Sequence, residues 1–353
     1  MSSSSIGSKD QVFERNNWAT SDGVIQEWVN DVAWSLLRGP RANLRTPSEM
    51  PTGTADAANV CRMALVHNGL QGMIPHVYGD ALKDVLGAEF YDRIELDRRR
   101  TEILAQEFLM VFGPKMQGQI VAVEAAAIRR IYDDLEGASG NPRLIPQLTL
   151  WAPTLSVRQD VEAALEECGY LPSTTRDGRN VFFKNTLGIN HSVIVKGILW
   201  ETSKNWSRDV ERAIWDRAVA YGGEHSLRFD LTDLFLLAVR HFAIDTLLGS
   251  ASALLDIVVI LEKADNNLDW TRLKEIKDRF TKPDWFWAPL FAVALFEQKT
   301  GRRVQMPEWV RSTLNSMTDS FWYNFIESRM CWANPDSRLV EFSRAYVKLA
   351  KGT

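Results

Sequence analysis

The sequence predicts an α+β protein, mostly helical, with a small mixed sheet flanked by N-terminal helices and a C-terminal helical domain. Three observations predict it. Apolar residues recur at helical spacing up to Gly113 and again from Asp209 onward. The residues between carry short β-branched runs separated by turn signals. Hydrophobic content of 45% with 24% charged residues describes a chain able to build packed cores. At 353 residues it is too long for one small core. We divide it into a disordered tail (1–20), an N-terminal helical region (21–118), an α+β core (119–208) and a C-terminal helical domain (209–353).

The first ten residues, "MSSSSIGSKD", lack the apolar stretch of a signal peptide and read as the disordered tail. From Asp22 to Leu37, Ile25, Trp28, Val29, Val32, Leu36 and Leu37 fall on one helical face, which Gly39-Pro40 terminates. The stretch "PRANLRTPSEMPTGTAD" is a loop by its Pro, Ser and Thr content. Helical patterning resumes in "AANVCRMALVHNGL" and then over Asp84–Phe112. The run Arg98-Arg99-Arg100 lies there among acidic neighbours and reads as a solvated helix face.

The period changes after Gly113-Pro114. "QIVAV" is a short strand with the helix "EAAAIRRIYDDL" directly behind it. "RLIPQLTLWAP" is a second strand, followed by a helix that Thr154 or Ser156 can cap. An Asp-Gly turn at Asp177-Gly178, the run "VFFKNT" and the longer run "SVIVKGILWE" add antiparallel strands. From Asp209 the sequence is helical again, with "LTDLFLLAVRHFAIDTLL" and "SASALLDIVVILEK" strongly apolar and "NLDWTRLKEIKDRF" amphipathic. The 13 tryptophans fall at helical spacing or near helix ends, where they fill core.

Composition excludes several function classes. A formal charge of −4 and a pI near 5.8 give no global reason to expect a nucleic-acid or anionic-membrane partner. No apolar run reaches the roughly 18 residues that span a bilayer. Cys61, Cys168 and Cys331 are too far apart for a CxxC site and odd in number, so a reducing cytoplasm is expected. Cys168 continues the stripe Val157, Val161, Leu165 and reads as a buried thiol. His67, His76, His191, His225 and His241 show no zinc-hydrolase spacing, and no P-loop, nucleophile elbow or dinucleotide fingerprint is present. His241 sits in an apolar helix and reads as a core or interface histidine.

The order of elements resembles a family of uncharacterised bacterial nucleotidyltransferases in the DNA polymerase beta-like superfamily. That family has a helical region, a strand ending in Lys-Gly, a helix closing with Tyr and an Arg four residues before an Asp-x-Asp strand. A helix ending in Gly-Tyr and a helical C-terminal half follow. Here Tyr132 matches the helix-ending Tyr, Arg143 precedes Gln147 by four residues, and "VEAALEECGY" matches the Gly-Tyr helix. His241, Asp256 and Asp269-Trp270 match later positions, so the likeness spans roughly residues 25–300. The resemblance implies two magnesium ions held by the Asp-x-Asp pair and a third carboxylate on a neighbouring strand. This chain has Gln147 and Thr149 for the pair, Val123-Glu124 for Lys-Gly, and Ile194 and Lys196 as occupants of the third position.

Four altered positions predict a pseudoenzyme that binds a nucleotide, an anionic small molecule or a protein partner, with no catalytic residue and no cofactor. Arg143, Lys196 and Tyr132 are its ligand-binding candidates, with Lys196 and Arg143 supplying fixed positive charge in place of metal. The plainer readings are an exposed strand lysine for Lys196 and a structural salt bridge for Arg143. An alternative is an active nucleotidyltransferase using magnesium and other acids, with Glu124 and Glu201 as the substitutes and Asp133 and Asp134 nearby. A third reading is a helical interaction scaffold.

Overall fold

The computed structural model describes residues 23–38, 55–108, 113–116, 119–132, 142–174, 180–199, 208–221, 226–264, 267–279, 284–317 and 321–330. The expected tail at 1–20, the loop after Gly39, the Asp177-Gly178 turn, Asp133, Asp134, Glu201, His225 and Cys331 lie outside the described residues. The N-terminal region contains α1 (Gly23–Arg38), α2 (Ala55–His67), α3 (Met73–Tyr78), α4 (Lys83–Leu86), α5 (Ala88–Glu107) and α6 (Gly113–Met116). The middle contains β1 (Val121–Val123), α7 (Ala125–Tyr132), β2 (Leu148–Trp151), α8 (Leu155–Glu167), β3 (Leu171–Thr174), β4 (Asn180–Thr186) and β5 (Ile189–Lys196). After them come α9 (Arg208–Arg217), β6 (Val219–Tyr221), β7 (Ser226–Arg228), α10 (Leu231–Arg240) and a π-helical turn, His241–Asp245. The chain continues through α11 (Ala251–Ala264), α12 (Trp270–Asp278), α13 (Asp284–Thr300), α14 (Glu308–Asn315) and α15 (Phe321–Arg329). The protein is thus mostly helical with one small mixed sheet.

Local chemistry sets the boundaries. Thr154 caps α8 by accepting from the Val157 amide at 3.2 Å, Asp230 caps α10 through Asp233 N at 2.7 Å, and Asp269 caps α12 through Arg272 N at 2.9 Å. The helix expected over Asp84–Phe112 is two helices. Gly87, at φ +86, breaks it between α4 and α5, a conformation glycine takes without a Cβ penalty. The arginine run on α5 is neutralised locally: Arg98 and Arg99 both bond Glu95, and Arg100 bonds Asp97. Cys168, expected inside the apolar stripe, ends α8 half-buried rather than enclosed.

The sheet has the order β3-β4-β5-β2-β1-β7-β6, with β2–β5 and β1–β7 parallel and the other pairs antiparallel. Two features depart from the sequence reading. The C-terminal half does not begin as unbroken helix, because β6 and β7 form a hairpin that joins the sheet beside β1. Strands of three residues are too short to show a period. In addition, β5 ends at Lys196 instead of running on to Glu201, and Gly197 follows it, where a Cβ would stand 2.7 Å from Arg158 Nη1.

Each sheet face buries a different core. Alternation sends Leu148, Leu150, Val193, Val195 and Phe182 to one face, against Leu104 of α5 and Val161 and Leu165 of α8. Val121, Val123 and Trp151 face the other way, into the larger core shared with α1, α2, α7, α10, α11 and α13. There Trp151 packs edge-on against Trp215 at 5.1 Å and stacks with Phe229 at 6.3 Å. The face that carries Trp151 also carries Thr149 and Lys196, since β1 pairs Val123 with Thr149 and β5 pairs Ile194 with Thr149 and Lys196 with Trp151.

The segment leading into β2 is held against the N-terminal helices. A Cβ at Gly72, just before α3, would lie 2.3 Å from the Pro142 carbonyl oxygen and 2.8 Å from Leu144 Cγ. Backbone cannot retreat cheaply there. Gly72→Ala is expected to destabilise the protein by about 1–3 kcal/mol, read as a lower urea midpoint at unchanged slope.

Candidate functional site

The candidate site is the polar cluster, here termed the cleft, where the Thr149 face of the sheet approaches the segment from α10 to α11, with Lys196 on the sheet in the field of Asp245. β1 turns into α7 through one residue, Glu124, whose backbone is left-handed at φ +59. For a side chain other than glycine this costs about 1–2 kcal/mol. The turn carries the Glu124 carboxylate back over the sheet, where one oxygen accepts from Thr149 Oγ1 at 2.9 Å and the other from Lys196 Nζ at 2.5 Å. Thr149 is buried, Lys196 is 17% exposed and Glu124 is 42% exposed. Gln147 lies just before β2 and is half-buried.

The opposite wall is the π-helical turn. Such turns are rare and concentrate at functional sites. Here the turn sets His241 Nδ1 3.0 Å from Asp245 Oδ2, with Arg240 Nη1 at 3.5 Å from the same oxygen. Burial pushes the Asp245 carboxyl up, but His241, Arg240 and Lys196 outweigh it and hold the group below the usual carboxylate range. Burial is also the main reason that the Arg240 guanidinium is pulled down to about 10, against the opposing fields of Asp245 and Glu211. Leu247 (φ +47) and Leu248 (φ +59) follow, two consecutive non-glycine residues in left-handed conformation, closed by Leu248 N donating to Phe242 O at 2.8 Å. Strained backbone therefore flanks the cleft on both walls.

Behind the cleft, Asp256 on α11 is buried and accepts from Tyr132 Oη at 2.7 Å and from Arg143 Nη2 at 2.9 Å. Burial raises its carboxyl pKa in spite of Arg143 and Tyr132. The Tyr132 hydroxyl is also pushed well up, by burial first and by Asp256 second. Of the sequence candidates, Glu124, Thr149 and Lys196 are thus in direct contact. Arg143 and Tyr132 meet on Asp256 instead, the structural ion pair that was the plainer reading of Arg143. Tyr132 is enclosed and presents no hydroxyl to the cleft. Glu201 lies outside the described residues. Sequence reasoning missed Asp245 and Arg240, which belong to an apolar run; the only signal for them was a charged pair flanking His241.

The donor set does not suit a hard divalent cation. Gln147 and Thr149 are neutral, and Glu124 is committed to Lys196. Among the described residues no group of three or more His, Cys, Asp and Glu side chains stands together as a metal site. Glu124, Asp245 and Asp256 are each bonded to a base. A second buried polar group lies under the opposite sheet face: Glu107 accepts from Lys184 at 2.7 Å and from the Tyr170 hydroxyl, with His191 Nε2 at 3.5 Å. Burial pushes the Glu107 carboxyl up, but Lys184 and Tyr170 outweigh it and hold it below its ordinary value. Comparison of the chain with protein-family models, curated proteins and solved structures finds no match.

Two expected outcomes follow from these pairs. Replacing Arg143 by Met strands a buried Asp256 carboxylate and is expected to cost about 3–5 kcal/mol in chemical denaturation; combining it with Asp256→Asn should recover much of that loss. Glu107 has its folded pKa depressed, so its contribution is present above its unfolded value and lost as pH falls through the folded one. Glu107→Gln should therefore flatten the acid limb of a stability-versus-pH curve as pH falls below the ordinary glutamate value, about 4.3.

Proposed function

We propose that the chain is a nucleotidyltransferase-like protein that does not catalyse nucleotidyl transfer and that binds a nucleotide or other small anion in this cleft without a metal ion. The observation that carries this reading is the contact made by Thr149. At the strand position where the resemblance implies a metal-binding carboxylate, a neutral hydroxyl is joined through Glu124 to the Lys196 ammonium. A fixed cation in place of a metal is a known way to hold a phosphate, since the ammonium acts as a point charge. Arg240 and His241 on the facing wall add basic groups around the same space. The left-handed Glu124 at the start of α7 occupies the position that the resemblance assigns to glycine, which supports the alignment of the two patterns.

A second reading, protein-partner binding, has its own observation. On the same sheet face beyond Ile194, Phe183 and Leu171 form a cross-strand pair, and they are 47% and 72% exposed. Exposed apolar side chains that adjoin one another supply the kind of surface that protein interfaces cover. The active alternative would need carboxylates grouped to hold magnesium, and among the described residues no such group stands together.

Calorimetric titration with each ribonucleoside triphosphate separates these readings. Binding is expected to be unchanged when magnesium is replaced by a chelator, and to weaken at least about tenfold, or 1.4 kcal/mol, in Lys196→Ala. Binding that requires magnesium would return the chain to the active transferases, and no binding by any nucleotide would favour a protein partner.

A further inference from the structure

We propose that the Thr149 hydroxyl and the Lys196 ammonium form a subsite for a phosphoryl or carboxylate group, and that the Glu124 side chain fills this subsite in the unliganded protein. The inference rests on the reading of the cleft as an anion site and says where the anion docks and what it displaces. Glu124 is connected as a ligand group would be. Its two oxygens take separate donors on two adjacent strands, one 2.9 Å from Thr149 Oγ1 and the other 2.5 Å from Lys196 Nζ. The donors belong to the floor, one buried and one largely so, while the acceptor reaches them from an exposed rim.

Three features distinguish this arrangement from an ordinary ion pair. First, Glu124 reaches the floor from a backbone conformation, φ +59, that favours glycine. The chain holds a carboxylate there against local preference. Second, the Lys196 ammonium is only 17% exposed and acts on Asp245 as well as on Glu124, so it stands between two acidic groups and not out in solvent. Third, release needs only rotation of one exposed side chain into solvent, and it uncovers no apolar surface of Glu124.

The charge balance fits exchange. With Glu124 rotated out, the Lys196 ammonium gives up its contact at 2.5 Å and the incoming oxyanion takes that place, one anion for another. The ligand then takes over both donors. Because a ligand binds only the fraction of molecules whose subsite is open, the tethered carboxylate lowers its apparent affinity by that fraction. Removing the tether raises affinity without adding any contact.

The test is calorimetric titration of the full chain with pyrophosphate and with ATP, in chelator and at constant ionic strength. Wild type, Glu124→Gly, Glu124→Gln and the double variant Glu124→Gly with Lys196→Met are compared. Glu124→Gly is expected to bind pyrophosphate at least about tenfold more tightly than wild type, since the carboxylate no longer competes. Glu124→Gln should fall between the two, because its carboxamide keeps a weak acceptor but no charge. The double variant should lose the gain. Equal affinity in wild type and Glu124→Gly, with ATP still bound, would overturn the subsite and leave the anion-binding reading standing. Absence of both ligands from wild type and from both single variants would overturn the two together. Should Glu124→Gly not fold, Glu124→Gln decides, and an affinity equal to wild type counts against the subsite.

Discussion

The carboxylate of Asp256 is the interaction on which the arrangement depends. It is enclosed, charged, and shared by the last residue of α7 and the segment leading into β2. A buried acid is tolerated only where its oxygens are bonded, so Tyr132 and Arg143 cannot drift without exposing a large cost. This fixes α7 against α11, and it fixes the approach to β2. The strand register then puts Thr149 opposite both Val123 and Ile194. The cleft is thus a by-product of tying the sheet to the C-terminal helices at one charged point.

What results is a pocket in which charge is present but already matched. In the parent chemistry implied by the resemblance, acids on the sheet are left to be neutralised by metal. Here each described acid of the cleft has a base supplied by the chain as neighbour. On the proposed reading, such a site exchanges one internal anion for an external one.

Much of this frame was legible in the sequence, because periodic segments report themselves. α1, α2, α8 and α11 follow their apolar stripes, and Thr154 caps α8 as its side chain suggests. The neutral pair Gln147 and Thr149 and the altered Glu124 were visible as departures from a pattern. Less could be read where structure depends on contacts distant in sequence. The β6–β7 hairpin is too short to show a period, and β5 ends at Lys196 within a run that stays apolar beyond it. Asp245 was hidden within an apolar run because its role follows from a helical register change that spacing alone does not encode. Arg143 looked available for a ligand; only the fold brings Asp256, 113 residues away, to its guanidinium.

The π-helical turn at His241–Asp245 carries one more implication. Such a turn holds one residue more than the α-turn it replaces, so it can be viewed as a single inserted codon that the surrounding packing absorbed. An ordinary α-helix advances about 100° per residue. Deleting one residue from this segment would let the helix close regularly, but it would swing the following carboxylate about a quarter of a turn around the axis, away from Lys196. A change of one codon, with no change of side-chain chemistry, is therefore enough to assemble this wall of the cleft or to dismantle it.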